Sequence, residues 1–222
     1  YSFIVLDHRG HGRGLRPAER FQLEDCADDA AAILRELGVP SATVVGYSMG
    51  GPVAMLLWKR HKALVHSLVL CATALEWNGT KNERRRWKTS RVISPLIRLL
   101  STPKIIERVV HRAIPRNSTM HRHVSWIVSE IRRNDSWVMR EAGRALSRYS
   151  AVDWAPQVDV PTASVVTTSD MLVPPRKQHQ LAEAVNAHVV PLDGDHLAMW
   201  GVPDRWSTAI RIAVDYVTTS GR

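Results

Sequence analysis

Ser48 stands midway between Gly46 and Gly50 in the run VVGYSMGGPVA, residues 44 to 54. The spacing G-x-S-x-G suits a serine nucleophile on a strained strand-to-helix turn, because side chains two positions away on either side would crowd it. The flanking residues supply such a turn. Before Ser48, ATVVGY is short, β-branched and apolar, as a buried strand is. After it, MGGPVAMLLWKRH sets Val53, Met55, Leu56 and Leu57 at helix-compatible positions, with Pro52 in the first turn. The N-terminus of that helix would offer backbone N–H groups, Met49's among them, to a developing oxyanion.

A serine hydroxyl is a poor nucleophile without a base, so a histidine oriented by a carboxylate has to lie elsewhere, and after such an elbow the chain order is Ser, acid, His. Two late segments fit. VVTTSDMLVPP puts Asp170 just past a strand, and VVPLDGDHLAMW puts His196 in the loop after the last strand, led in by Gly194. All three residues then sit at strand ends on one side of a sheet. Asp193 and Asp195 flank His196 and stay open as alternative acids, although a residue adjacent to the histidine in sequence generally points elsewhere. Asp153, ahead of a strand, is a further alternative. His8 and His11 have no clustered partners for a metal. The H-x-H of His121 and His123 is completed by nothing nearby, and His61, His66, His111, His179 and His188 carry no motif.

Strand patterns recur at residues 3–7, 43–47, 67–73, 162–168 and 187–192, with helix-like stretches at 20–38, ending on Gly38, and after the elbow. Such alternation predicts an α/β fold with a mostly parallel sheet flanked by helices. From residue 76 to 156 the alternation stops. That segment is rich in Arg and Trp and is amphipathic, as in SPLIRLLSTPKIIERVVHRAI. It reads as a helical cap inserted between an N-terminal core part, 1–75, and a C-terminal core part, 157–222. Five of the eight tryptophans, Trp77, Trp87, Trp126, Trp137 and Trp154, fall there, and packing between cap and core is their simplest use, with one or two left to line an acyl pocket.

Together, DHRGHG at Asp7–Gly12, GYSMGG at the elbow, SDMLVPP and GDH resemble the α/β-hydrolase superfamily, in particular its bacterial serine esterase-like members. The resemblance covers practically the whole chain. It implies Ser48 as nucleophile, Asp170 as orienting acid, His196 as general base, a mainly structural DHRGHG turn and a variable cap. A serine at the elbow argues against the dehalogenase and epoxide hydrolase branches, which use aspartate there. The resemblance also implies about three strands ahead of residues 3–7, one of them lying between FIVLD and TVVGY and followed by a loop that donates a second oxyanion N–H. The chain opens on Tyr1 and enters a strand pattern at once. The expectation is therefore an N-terminally truncated hydrolase, weakly active or inactive alone, in which those two strands either pair directly or show unpaired edges.

The reaction expected is cleavage of a small-molecule or lipid ester, or a thioester, through an acyl-enzyme on Ser48, with no metal and no organic cofactor. The alternative is an impaired fragment or non-enzymatic scaffold whose basic cap binds a membrane surface or an acidic partner. With 222 residues, 45 % of them hydrophobic, the chain can bury one core. No apolar run reaches the roughly 20 residues that span a bilayer and no signal peptide is evident, so a cytoplasmic protein, with peripheral membrane contact as a second expectation, is anticipated. Cys26 and Cys71 read as buried reduced thiols. The net charge of +9 is concentrated: residues 76–150 hold 17 Lys and Arg against 6 Asp and Glu. A solvated basic face accounts for this without nucleic acid.

Overall fold

The computed structural model of the chain describes residues 1–81, 83–85, 103–114, 116, 119–134 and 136–219. Its sheet has four strands, β1 (Ala42–Tyr47), β2 (Val65–Cys71), β3 (Thr162–Thr167) and β4 (His188–Leu192), hydrogen-bonded in that order. All three pairings are parallel. Parallel strands need crossover connections, and helices supply them: α1 (Leu23–Glu36) precedes β1, α2 (Gly50–Arg60) joins β1 to β2, and α6 (Pro175–Ala184) joins β3 to β4. After β4 come a short α7 (Ala198–Gly201) and the C-terminal α8 (Pro203–Thr219).

The central strands read as continuous apolar runs because both faces are covered. Along β2, Leu68 and Leu70 enter one core with α1, α2 and Leu181 of α6, while Val69 and Cys71 enter the other with Ala163, Val165, Val190 and Leu192. On that second face α8 contributes Ala209, Ala213 and Val217, four residues apart and therefore on one stripe. Small residues there let the helix lie close to the sheet. Helix α1 ends as its sequence signals: Gly38 has φ +64, and Gly38 N–H and Val39 N–H donate to the carbonyls of Arg35 and Leu34. Cys26 and Cys71 are free and buried, and burial pushes the Cys26 thiol up to about 12, leaving it inert.

Residues 3–7 depart from the sequence expectation. They form no strand, and Phe3 and Val5 are 84 % and 91 % exposed. A strand needs a neighbour's N–H and C=O groups, and among the described residues none lies alongside this segment in a ladder. Among the described residues strand β1 is paired on one side only, with Val45 48 % exposed. Of the two arrangements anticipated, the unpaired edges are the one found. Strand β2 also stops earlier than its pattern, at Cys71, because Ala72 turns into the left-handed region with φ +47.

Between β2 and β3 the described residues form α3 (Pro103–Ala113), α4 (Val124–Arg133) and α5 (Ser136–Arg148). The chain leaves and rejoins the core at one point, where Glu76 and Ser150 form an antiparallel bridge and Ala151 N–H donates to Leu75 O at 2.9 Å. Trp87 and SPLIRLLST, the first part of the amphipathic stretch at residues 94–102, lie outside the described residues. The turn between α4 and α5 sits on the DHRGHG loop: Gly12 N–H donates to Asn134 Oδ1 at 3.0 Å, and Arg13 pairs with Glu130 at 3.4 Å. Gly10, with φ +75, lies against Val138, whose Cγ1 a Cβ at this position would overlap. From the other side Arg9 clamps Asp29 through both Nε and Nη2 and reaches Asp25, tying the same loop to α1. Among the described residues no helix is long and apolar enough to cross a membrane.

Candidate active site

Strand β1 ends at Tyr47, and the next residue, Ser48, takes φ +51 before α2 begins. A non-glycine residue in this region is strained, and it persists only where its neighbours over-determine it. Here Ser48 N–H donates to Cys71 O at 2.9 Å, while Ser48 O accepts from Gly51 N–H at 3.0 Å and from the Thr73 hydroxyl at 2.8 Å. Met49 is the N-cap of α2, so its N–H and that of Gly50 emerge at the helix terminus without intrahelical acceptors. The first turn holds no acidic residue, which leaves its positive end uncompensated.

The two glycines of the motif differ. A Cβ on Gly46 would overlap the Gly50 carbonyl oxygen, a backbone group that cannot step aside. A Cβ on Gly50 would meet nothing within 4 Å. Steric need, expected at both positions, therefore holds for Gly46 alone. The second close approach falls one residue later, at Gly51, whose Cβ would overlap the Thr73 side chain that holds Ser48 O.

The loop after β4 brings His196 onto Ser48. His196 Nε2 lies 2.9 Å from Ser48 Oγ, and Nδ1 lies 2.7 Å from Asp170 Oδ2. Asp170 comes from the turn after β3 and its carboxylate is fully enclosed. Oδ1 accepts the N–H groups of Leu172 and Val173, both at 2.8 Å, and Oδ2 accepts the Thr167 hydroxyl at 2.9 Å. Burial pushes the Asp170 carboxyl up; the bonds from His196, Val173 N–H and Thr167 and the charge of His196 outweigh it, so the group stays below the usual carboxylate range. An ionised acid, an imidazole and a hydroxyl thus stand in a line, with proton acceptance by Nε2 balanced by the anion at Nδ1.

A family model described as the alpha/beta hydrolase fold matches residues 1–202. The chain belongs to that family. An AB hydrolase superfamily protein of Bacillus subtilis is 37 % identical over 75 residues, which are 33 % of this chain and 28 % of that protein. Among solved structures, an esterase from Exiguobacterium antarcticum superposes with a TM-score of 0.78 at 18 % identity, over 96 % of this chain and 80 % of that one. An enol-lactonase from Burkholderia xenovorans gives a TM-score of 0.75 at 23 % identity, over 96 % and 79 %. The chain thus spans about a quarter of the sequence relative's length and about four fifths of each structural neighbour's.

In this α/β hydrolase two of the alternative acids have partners of their own. Asp193 is exposed and pairs with Arg205 at 3.0 Å, Asp195 accepts Leu197 N–H at 2.8 Å, and Asp153 is exposed. Among the described residues His8 Nδ1 is buried and meets no hydrogen-bond partner, His11 Nδ1 lies 3.1 Å from Arg9 O, and the His121 ring lies against that of His111. Trp77 and Trp154 pack on the main core, and Trp154 stacks on Trp58. Trp126 is 59 % exposed and Trp137 38 %.

Sequence reasoning missed Tyr47. Its hydroxyl donates to the carbonyl oxygen of His196, and its ring lies 5.3 Å from the imidazole and edge-on to Trp206. Burial, reinforced by Asp170 and Asp195, pushes its pKa up, so the phenol remains a donor. The serine and the histidine loop are therefore held together through their neighbours. A tyrosine with a polar tip at the inner end of a strand was the available signal.

Proposed function

We propose that this chain carries the site of a serine hydrolase that cleaves a carboxylic ester, its cyclic lactone form included, or a thioester. The observation that supports this reading most is the bridging position of His196 between Ser48 Oγ and Asp170 Oδ2. His196 Nε2 takes the Ser48 proton as Oγ attacks the acyl carbon. The oxyanion that forms is met by the Met49 N–H at the start of α2. On collapse His196 hands its proton to the leaving alcohol or thiol, and the acyl group stays on Ser48. The same histidine then takes a proton from water as the water oxygen attacks the acyl carbon, and returns it to Ser48 Oγ as the acyl–oxygen bond breaks and the acid leaves, with Asp170 stabilising the imidazolium whenever it forms. Each step uses protein side chains and water, without a resident cofactor.

A fluorophosphonate probe should label the wild-type chain at Ser48, and Ser48→Ala should abolish labelling and turnover. A folded wild-type sample that takes no label overturns the reading. Labelling with turnover near background corresponds to an impaired oxyanion site; in a well-studied case one lost oxyanion donor costs about 100- to 1000-fold.

The cap supports a second reading, as a contact for an anionic membrane surface. On α3 and α4, Ile105, Val109 and Trp126 are exposed among Lys104, Arg108, Arg112 and Arg132. Aliphatic and indole groups among guanidinium groups suit headgroups above and acyl chains below. Sedimentation with phosphatidylserine vesicles at high salt should retain binding if the apolar groups insert, and should lose it on Val109→Glu with Trp126→Glu. Binding that vanishes at moderate salt rejects insertion.

A further inference from the structure

Two fully buried polar side chains, Thr167 and Gln178, lie behind Asp170 and touch none of the reacting atoms. Thr167 is the last residue of β3 and Gln178 sits on α6, 11 positions later. The Gln178 amide oxygen accepts Thr167 N–H at 3.0 Å. Its Nε2 donates to Val173 O at 2.7 Å and to Thr167 Oγ1 at 2.8 Å. A primary amide has two N–H protons, and these two acceptors use both; Asp170 Oδ2, at 3.3 Å from Nε2, is the more distant neighbour. Reversing the amide would set a second carbonyl-type oxygen against Val173 O, so the network fixes its orientation.

The Thr167 hydroxyl has one proton. With a lone pair engaged by Gln178 Nε2, that proton points along the remaining short contact, to Asp170 Oδ2 at 2.9 Å. Oδ2 is also the oxygen that faces His196 Nδ1. We propose that Gln178 and Thr167 form a positioning relay: Gln178 sets the direction of the Thr167 hydroxyl, and the hydroxyl fixes Asp170 Oδ2 opposite His196 and shares its negative charge. The proposal deepens the serine hydrolase reading above and rests on it.

Losing the hydroxyl concentrates charge on Oδ2 and strengthens its hold on the protonated imidazole. The histidine then becomes harder to deprotonate, and the carboxylate is freer to rotate away. Thr167→Val, which keeps the side-chain shape, should raise the acid limb of kcat/KM by about half a pH unit and lower kcat about 5- to 10-fold, with KM changed by less than about 2-fold. Thr167→Ser should restore the wild-type profile. Gln178→Met should shift the limb the same way but by less, since the hydroxyl remains and loses only its direction. If Thr167→Val does not fold, Thr167→Cys, a weak donor of similar size, should give an intermediate shift. A merely structural role for Thr167 would lower the unfolding temperature and leave the pH profile in place, and that result overturns the relay. Fluorophosphonate labelling of the wild type separates the two levels: no label defeats the hydrolase reading, whereas a labelled wild type with an unmoved limb in a folded Thr167 variant defeats this proposal alone.

Discussion

Asp170→Asn is expected to lower kcat about 10,000-fold while leaving the chain folded. The reason lies in which oxygen faces what. Oδ1 accepts two backbone N–H groups, from Leu172 and Val173, which only an oxygen can satisfy. An asparagine must therefore place its carbonyl there and its NH2 where Oδ2 now meets Thr167 and His196. That NH2 donates to Nδ1, so Nδ1 becomes an acceptor and the ring proton moves to Nε2, facing Ser48 Oγ. A histidine protonated at Nε2 cannot take the serine proton. Steady-state kinetics beside a thermal melt give the check, and a loss of under about 10-fold in a folded variant would rule out Asp170 as the orienting acid. The charge also bears on acid stability. Because the native carboxyl is held low, its contribution is present above about pH 4, the unfolded value, and fades as pH falls through the lower native one. Asp170→Asn should flatten this part of the acid profile.

Gly46→Ala and Gly50→Ala should differ in sign, although the two glycines are symmetric about Ser48. At Gly46 the new methyl meets the Gly50 carbonyl, so β1 and the start of α2 must separate and the turn that holds Ser48 opens. A loss of about 3 kcal/mol is expected, a fall of roughly 6–12 °C in Tm for a chain of this size, together with most of the activity. At Gly50 the methyl enters open space on a helical residue, and stability should stay level or rise by up to about 1 kcal/mol. Melting curves of the two variants decide it; equal destabilisation would mean that Gly50 is as confined as Gly46.

The sheet and the three residues that meet at its edge were legible because each carries a local signal. β-Branched runs marked β1 to β4, and Ser48, Asp170 and His196 each follow such a run directly. Local pattern also misled at residues 3–7: FIVLD has strand composition, but pairing is a property of a neighbour, and composition says nothing about whether one is there. Gly50 misled for a related reason, since a motif records spacing and crowding depends on what the backbone folds against. Thr167, Gln178 and Tyr47 went unseen because they act on partners through burial. In sequence Gln178 is one more polar residue on a polar helix; only packing turns its amide inward, where unsatisfied donors would be costly.

The bare side of β1 has a consequence for the serine itself. Ser48 hangs from the end of β1, an edge strand of the described sheet, so among the described residues its strained backbone is anchored on the sheet side through β2. Outward amides of β1 should trade hydrogen with water through small openings, while those of β2 and β3 should wait for far larger ones. Ser48 is then carried by one of the two outer strands of the described sheet. In this chain the time Ser48 spends within reach of His196 should follow how often that outer strand frays, separately from how well the interior is packed.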